Sequence, residues 1–284
     1  MRLALIGVGL IGGSFAAALR AAHKVDYIVG FDSRQEALKR AVDLGIVDQF
    51  VAAPEQAVDR AELVMIATPV GATRQIFRAI APHLLQTAIV TDVGSAKSSV
   101  IAAARDELGP AFERFVPGHP IAGREHSGVE HSSPAMFANA MFVSTPVEQT
   151  SAAAAHYVEE LWRSVGCRIE RMTPEDHDDV FAAVSHLPHL LAFALLAQIA
   201  GELDAERKFA MAGSGFRDFT RIGASSPALW TDICLANPRA LAAELGGYRA
   251  LLDKLQSALE SGDADTMKAV FQRAAVASRT HARA

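Results

Sequence analysis

The sequence predicts an α/β chain in which a doubly wound parallel sheet precedes an all-helical region. Short runs that are apolar throughout alternate with helix-like segments in the first half, as expected for parallel strands buried on both faces. A glycine-rich turn joins the first apolar run to the first helix-like segment. Beyond residue 173, long apolar and amphipathic segments without strand-like breaks replace this alternation. These three observations together give the predicted fold class.

The elements of the first half follow one another in order. Apolar runs predict strands at 3–6, 27–31, 63–67 and 88–91. Helical spacing predicts helices at 10–22, 34–44 and 71–85. Later strands are predicted at 114–117, 140–144 and 167–170, with a helix at 152–165. Right-handed crossovers between such strands produce a doubly wound sheet.

The second half is predicted to be helical. Residues 180–202 are strongly apolar, whereas 241–259 and 265–279 have amphipathic spacing. We therefore place a domain boundary near residue 172, which gives domains of residues 1–172 and 173–284.

Composition excludes several classes of protein. Half of the 284 residues are hydrophobic and 7% are aromatic, which predicts a folded, mainly aliphatic core. A net charge of -5, with scattered basic residues, argues against nucleic-acid binding. The two cysteines, Cys167 and Cys234, have no neighbours at metal-ligand spacing. We expect no metal site, and a reducing cytoplasm is the simplest compartment.

The N-terminus has one feature of a secretory signal. Arg2 precedes an apolar run, Leu3–Leu19. Regularly spaced glycines interrupt that run, which favours a structured turn over a cleaved leader. The most lipid-like stretch elsewhere, 190–197, is too short to span a bilayer, so we expect no membrane association.

The turn after the first strand carries a dinucleotide-binding pattern, G-x-G-x-x-G, at residues 7–12. In such a turn Gly7 permits the tight bend, Gly9 lets a pyrophosphate approach the backbone, and Gly12 lets the helix pack on the strand. The phosphates then lie at a helix N-terminus, where free N–H groups favour anions. Leu10 and Ile11 complete the predicted contacts of a Rossmann-type domain.

Asp32 directly follows the second predicted strand, 20 residues after Gly12. A carboxylate at this position accepts hydrogen bonds from ribose hydroxyls and repels a 2′-phosphate, so it favours NAD over NADP. The neighbouring Ser33 and Arg34 are further predicted contacts, and the charge of Arg34 softens the preference against NADP. The alternative is that Asp32 caps the next helix.

Other strand ends supply further candidate cofactor contacts. Thr68 and Pro69 follow the strand at 63–67, and Asp92 follows the strand at 88–91. Ligands of open α/β sheets bind outside the carboxyl ends of the strands. For Thr68 and Pro69, ordinary strand-to-helix turn chemistry is an equally good explanation.

Four polar runs stand out against the aliphatic background, at 91–97, 118–125, 185–189 and 213–221. Each alone has a structural explanation. His119 fits a turn histidine, His186 and His189 fit partly buried positions at a helix start, and Arg221 fits a surface ion pair.

Together these runs resemble the prephenate dehydrogenase family, which includes arogenate and cyclohexadienyl dehydrogenases of tyrosine biosynthesis. The resemblance rests on GLIGGS, TDVGSAKSS, GHPIAGRE, SHLPH and GFRDFTRI, which stand in the family's order at 9–14, 91–99, 118–125, 185–189 and 215–222. It implies NAD(P)-dependent oxidative decarboxylation, giving 4-hydroxyphenylpyruvate from prephenate or tyrosine from arogenate. It also implies a homodimer formed through the helical domain.

The resemblance assigns roles to residues of the polar runs. His119 accepts the proton of the substrate hydroxyl, and Ser95 hydrogen-bonds to the same hydroxyl; a neutral imidazole suits this task. Arg221 is expected to bind a substrate carboxylate in a bidentate manner, and His189 to help bind the substrate. Further residues expected around the substrate are Glu125, Arg217 and Arg124.

Two residues bear on the choice of substrate. Family members restricted to arogenate can lack the second histidine of the SHLPH run, so His189 favours prephenate. Arg124 stands where a small hydroxyl residue is expected, and its charge favours the pyruvyl carboxylate of prephenate. An arogenate-preferring or dual-specificity enzyme is the alternative.

More distant alternatives are a β-hydroxyacid dehydrogenase, a pyrroline-5-carboxylate reductase and a non-catalytic NAD-sensing module. The first two do not predict GHPIAG and SHLPH together, and the third has no need of His119, Ser95 and Arg221. The length leaves no room for an appended regulatory or chorismate mutase domain, so we expect any inhibition by tyrosine to act at the active site.

Overall fold

A computed structural model describes residues 1–123 and 127–281. It confirms the predicted fold class of a helix-covered parallel sheet followed by helices alone. The strands are β1 Arg2–Ile6, β2 Tyr27–Phe31, β3 Gln49–Phe50, β4 Leu63–Ile66, β5 Ile89–Asp92, β6 Phe115–Val116, β7 Gly118–Ile121, β8 Met141–Ser144 and β9 Arg168–Arg171. The helices are α1 Leu10–Ala21, α2 Gln35–Asp43, α3 Pro54–Ala57, α4 Thr73–Ile80, α5 Ser98–Glu107, α6 Ala152–Ser164, α7 Pro174–Phe181, α8 Leu187–Ala200, α9 Ala205–Ala210, α10 Ser214–Thr220, α11 Pro227–Ala236, α12 Pro238–Ser261 and α13 Ala264–His281.

The main sheet has the order β3-β2-β1-β4-β5-β6, and all its neighbouring strands are parallel. The order reverses between β1 and β4, whose carboxyl ends therefore flank the crevice where such sheets bind ligands. The edge strand β3, Gln49–Phe50, was not predicted, because two residues show no periodicity.

Both faces of this sheet are buried. Leu3 and Leu5 of β1 belong to the core on one face, together with Phe15 of α1. Ala4 and Ile6 point to the opposite face and belong to a second core. Successive residues of a strand point to opposite faces, so burial on both sides requires apolar side chains throughout.

A separate three-stranded sheet has the order β7-β8-β9. The predicted strands at 140–144 and 167–170 correspond to its β8 and β9, whereas the one predicted at 114–117 is β6 of the main sheet, and β7 was not predicted. His119 lies on the edge strand β7 and not in a turn, which was the structural alternative considered for it. An edge strand tolerates Pro120, which has no N–H group to donate. A Cβ at Gly118 would lie 2.0 Å from Cζ of Phe142, so only glycine lets β7 approach β8 this closely.

A single helical stretch, Pro174–Ala200, contains α7, a π-helical segment at Ala182–His186, and α8. Thr173 caps it by accepting a hydrogen bond from the Asp176 amide. The eight-residue estimate for the longest lipid-like segment was wrong, because this helix has 27 residues and a window of mean hydropathy 1.8. It is long and apolar enough to cross a membrane, but a buried helix of a soluble protein meets the same criterion.

The chain divides into two compact units, Met1–Pro238 and a second one that begins at Arg239. The first unit holds both sheets and the helices up to α11. The second holds α13 and nearly all of α12. The predicted domains 1–172 and 173–284 stay a prediction.

Candidate active site

The turn between β1 and α1 has two positions at which contacts within the protein allow only glycine. Gly7 has a φ of +97°, and a Cβ there would lie 2.4 Å from the Ala67 carbonyl oxygen. A Cβ at Gly12 would lie 2.3 Å from the Gly7 carbonyl oxygen. These contacts are the tight bend and the close helix packing that the sequence predicted for Gly7 and Gly12.

Gly9 differs from the other two glycines. A Cβ built there meets no heavy atom within 4 Å among the described residues. Packing within the chain therefore does not explain why residue 9 is a glycine. Open space remains in front of α1, whose first two residues are Leu10 and Ile11. A helix N-terminus with this free approach suits a phosphate group.

Asp32 lies just past the carboxyl end of β2 and is tied to the glycine turn. Its Oδ2 accepts a hydrogen bond of 2.9 Å from the Val8 amide, and its Oδ1 accepts one of 2.9 Å from the Arg34 amide. The cap position of α2 is Arg34, so Asp32 is not the capping residue. The side chain of Arg34 also donates to Asp32, and this hydrogen bond raises the pKa of Arg34. Ser33, between them, is exposed.

Thr68 and Pro69 follow β4 and border the glycine turn, where a Cβ at Gly7 would lie 2.9 Å from the Thr68 amide nitrogen. The hydroxyl oxygen of Thr68 is buried and has no hydrogen-bond partner among the described residues. A buried hydroxyl without a partner costs about 1–3 kcal/mol. This hydroxyl, the space at Gly9 and the carboxylate of Asp32 fit a dinucleotide.

Asp92, at the end of β5, is fully buried and binds donors of the chain with both oxygens. Oδ2 accepts from the Gly94 amide and from Lys97 Nζ, and Oδ1 accepts from the Gly118 amide. Lys97 Nζ also donates to the Gly118 carbonyl at 2.7 Å. Burial lowers the pKa of Lys97, and the charge of Asp92 opposes that shift. This arrangement gives Asp92 a structural role; its predicted cofactor contact stays a prediction.

The ion pair of Asp92 and Lys97 holds the loop after β5 against the start of β7. Ser95 lies in that loop and is partly exposed. His119 is the residue after Gly118, so the ion pair brings the loop with Ser95 next to the strand with His119.

The imidazole of His119 packs among aromatic rings and is partly accessible. Its Nδ1 lies 2.9 Å from Nε2 of His177, and its ring centroid lies 4.9 Å from that of Phe181. Burial, with additional effects of His177 and Lys97, holds the pKa of His119 well below its usual value of 6.5. His119 is therefore a neutral imidazole near neutral pH, as a general base requires.

His189 lies on the first turn of α8 and is half-buried. Its Nδ1 hydrogen-bonds to the Ser185 carbonyl at 2.9 Å, and its ring stacks on Trp230 at a centroid distance of 3.4 Å. Burial lowers the pKa of His189, and the positive charge of Arg221 lowers it further. Nδ1 donates to a carbonyl, so Nε2 is left as the other functional nitrogen.

Arg221 begins a short 3-10 turn that packs on α8. A Cβ at Gly223 would lie 2.7 Å from Cδ1 of Leu196, so this glycine permits the close approach. Arg217 is exposed on α10, and its Nη1 donates to the Ala212 carbonyl at 2.6 Å. The predicted site residues Arg124 and Glu125 lie outside the described residues.

Several residues around these histidines were not predicted to belong to the site. His177 and Asp178 stand next to His119 through the contact at 2.9 Å, and Trp230 stacks on His189. In the sequence, His177 and Asp178 lie among exposed acidic residues at the start of α7, which resemble an ordinary helix N-terminus. Their full or nearly full burial is a consequence of tertiary packing.

The chain matches known proteins over nearly its whole length. The family model for the nucleotide-binding domain of prephenate dehydrogenase matches residues 15–171, and that for its dimerization domain matches residues 173–273. A cyclohexadienyl dehydrogenase from Zymomonas mobilis is 38% identical, over 98% of this chain and 96% of that protein. A prephenate dehydrogenase from Bacillus subtilis is 34% identical, over 95% of this chain and 73% of that protein.

Solved structures agree with these matches. The crystal structure of prephenate dehydrogenase from A. aeolicus in complex with hydroxyphenyl propionate and NAD+ superposes with a TM-score of 0.90. The two chains are 34% identical, and the match covers 99% of this chain and 98% of that one. The chain described here belongs to the prephenate dehydrogenase family.

Proposed function

We propose that this protein catalyses the NAD-dependent oxidative decarboxylation of prephenate to 4-hydroxyphenylpyruvate. The observation that carries the proposal is the neutral imidazole of His119, whose Nδ1 is engaged by His177. Nε2 is then the nitrogen that accepts the proton of the substrate hydroxyl. Ser95 supplies a hydroxyl on the neighbouring loop to bind the same oxygen.

The cofactor is held at the carboxyl edge of the main sheet. The backbone at Gly9 and the first turn of α1 bind the pyrophosphate, and Asp32 binds the adenosine ribose. The Thr68 hydroxyl, which has no partner among the described residues, forms a hydrogen bond with the cofactor. The carboxylate of Asp32 disfavours a 2′-phosphate, which supports NAD over NADP. Bound NAD+ supplies the hydride acceptor for the reaction.

The substrate is a dianion and requires cationic or hydrogen-bonding partners. Arg221 offers a planar guanidinium for bidentate binding of a carboxylate. His189 is oriented by Ser185 and Trp230, so its Nε2 is fixed in direction. Loss of the ring carboxylate as CO2 gives an aromatic product, which makes the step strongly favourable.

A dual-specificity enzyme that also accepts arogenate is the second candidate. It is supported by the 38% identity to a cyclohexadienyl dehydrogenase. The experiment is a steady-state comparison of kcat/KM for prephenate and arogenate, each with NAD and with NADP, followed by NADH or NADPH absorbance. We expect the highest value for prephenate with NAD. A strong preference for arogenate would contradict the main proposal, and equal values would favour the second candidate.

The role of His119 has its own test. His119→Asn is expected to lower kcat by ~100- to 10,000-fold, the usual contribution of a general base. Binding of NAD, measured by fluorescence titration, should change little. The matched control is His156→Asn, since His156 is exposed on α6. Full activity of His119→Asn would refute the assignment.

We also propose a homodimer formed through the helical domain, in the cytoplasm. Phe193, Leu195, Leu196 and Ile199 of α8 are apolar and all remain partly exposed in the single chain. The match of residues 173–273 to a dimerization domain supports their burial against a second copy. Sedimentation equilibrium should give twice the chain mass of 30.2 kDa. A monomer at micromolar concentration would overturn this proposal.

A further inference from the structure

Behind His119 lies a line of hydrogen-bonding side chains that the proposed chemistry does not yet use. His119 Nδ1 lies 2.9 Å from His177 Nε2, and His177 Nδ1 lies 2.9 Å from Oδ1 of Asp178. His177 is fully buried, and Asp178 is nearly so. A neutral imidazole has one donor and one acceptor nitrogen, so the charge state of Asp178 determines the direction of both hydrogen bonds.

Asp178 is ionised under all ordinary conditions. Burial alone would raise its pKa, but hydrogen bonds from His177, Ser98 and the Lys97 amide lower the pKa to about 2. Its Oδ1 accepts from the Lys97 amide at 2.8 Å, and its Oδ2 accepts from the Ser98 amide at 2.9 Å. These amides belong to the N-terminus of α5, where a negative charge is favoured.

An ionised carboxylate only accepts hydrogen bonds, so His177 Nδ1 must carry a proton. The other nitrogen of the neutral ring, Nε2, is then an acceptor. His119 Nδ1 must therefore donate to it, and the lone pair of neutral His119 is left on Nε2. The carboxylate of Asp178 thus fixes the tautomer of His119 through an intervening imidazole.

We propose that His177 and Asp178 are positioning residues that hold His119 as the Nδ1–H tautomer and stabilise the imidazolium formed when it takes the substrate proton. The proposal rests on the function proposed above for His119. The hydroxyl proton moves to His119 Nε2, and the positive charge is shared with His177 through the Nδ1–H···Nε2 hydrogen bond. Transfer of the bridging proton to His177 Nε2 places the cation directly against Asp178. After CO2 is lost, the bridging proton returns to His119 Nδ1, and His119 Nε2 gives its proton back to the phenolate oxygen of the product.

The charges around this line support the assignment. Lys97 and Asp92 form a buried ion pair and neutralise each other. Asp178 therefore supplies the counter-charge for an imidazolium. Phe181 packs on both rings, with centroid distances of 4.9 Å to His119 and 4.5 Å to His177, and shields the line from water.

The groups on the other sides are neutral. His186 is buried, and burial lowers its pKa to about 4. Asn237 donates from Nδ2 to the backbone carbonyl of Asp178 at 2.7 Å. These contacts hold the helical segment that carries His177 and Asp178 without adding charge next to these two side chains.

The direct test is the tautomer of His119 in the wild-type protein. We would record 15N–1H long-range correlation spectra of protein labelled with 15N-histidine and assign signals by their loss in His119→Asn and His177→Asn. Both rings are expected as Nδ1–H tautomers near neutral pH. A His119 ring in the Nε2–H form would overturn the proposal whether or not the protein turns over prephenate.

Kinetics supply the second test. His177→Phe fills the buried space, keeps the contact with Phe181 and removes the acceptor for His119. We expect kcat to fall roughly 100-fold, with the KM for prephenate and the affinity for NAD retained. In His177→Gln the amide oxygen again accepts from His119 Nδ1, so part of kcat should return. The matched control, His156→Phe, should keep full activity.

The outcomes separate the two proposals. Equal kcat for wild type and a folded His177→Phe would overturn the positioning role. Nδ1–H tautomers together with an active His119→Asn variant would instead refute His119 as the base and leave the hydrogen-bonded line intact. A purely structural role would lower the melting temperature of both His177 variants and restore no kcat in His177→Gln.

Discussion

The glycine turn and the surroundings of His119 are built by different means. In the turn, a Cβ at Gly7 or Gly12 would overlap atoms of neighbouring residues, so sterics require glycine at both positions. Around His119, side chains from widely separated parts of the chain meet. His119 and His177 are 58 residues apart, and the Lys97 amide and Asp178 are 81 apart.

This difference decides what the sequence reveals. Steric demands on a backbone turn leave a short motif, because only glycine satisfies them. A buried hydrogen-bonded network leaves scattered polar residues that resemble surface residues until tertiary structure joins them. The network around His119 is also more sensitive to mutation than the glycine turn, because the loss of one partner leaves an unpaired charge or dipole buried away from water.

The largest loss of stability is expected from Lys97→Met. The ammonium and the carboxylate of Asp92 are both fully buried, and removing one leaves the other uncompensated. Breaking such a pair costs about 3–5 kcal/mol. Urea unfolding followed by circular dichroism measures the loss, and displacement of β7 should also reduce kcat.

The matched control is Arg78→Met, which breaks an ion pair with Glu107 on the surface. Water screens this pair, so the free energy of unfolding should change far less. Similar losses in the two variants would show that burial of the Lys97 ion pair does not matter, contrary to our account.

Most of the sheet was predictable because its strands are apolar throughout. The predicted strands at 3–6, 27–31, 63–67 and 88–91 match β1, β2, β4 and β5 to within one residue at each end. The separate sheet β7-β8-β9 was not foreseen, since strand pairing is a long-range property. The π-helical segment at 182–186 has no local signature either.

The candidate site was predictable wherever one motif carries one role. Gly7 has the positive φ and Gly9 the open space that the dinucleotide pattern predicts, and Asp32 is tied to the same turn. Their contact with NAD stays a prediction. The position of Asp178 follows from its contact with the N-terminus of α5, which no local pattern encodes. No local pattern indicates that His119 and His177 share a hydrogen bond either.

The second prediction separates sterics from ligand binding within the glycine turn. Gly7→Ala places a Cβ against the Ala67 carbonyl and forces a non-glycine residue to a φ of +97°. Such strain costs roughly 1–3 kcal/mol before any steric overlap is counted. Its melting temperature should fall clearly.

Gly9→Ala is the matched variant for that comparison. Its Cβ meets no protein atom within 4 Å among the described residues, so stability should change by less than ~1 kcal/mol. The same methyl group occupies space assigned to the pyrophosphate, so the Kd for NAD should rise at least ~10-fold, which corresponds to about 1.4 kcal/mol. A Gly9→Ala variant that is destabilised but binds NAD normally would contradict the interpretation that Gly9 leaves space for the pyrophosphate.

The smallest effect concerns pH. His119 accepts a proton only when neutral, and its pKa is held well below 6.5 by burial and by His177 and Lys97. Activity should therefore stay constant as the pH falls through 6.5 and decline only in more acidic buffer, seen as the acid limb of kcat/KM. Unfolding must be followed in parallel. His186 has a folded pKa of about 4 against 6.5 unfolded, so the unfolded chain gains a proton first and stability falls over that interval. An acid limb at or above 6.5 in folded protein would show that His119 is not the buried neutral base described here.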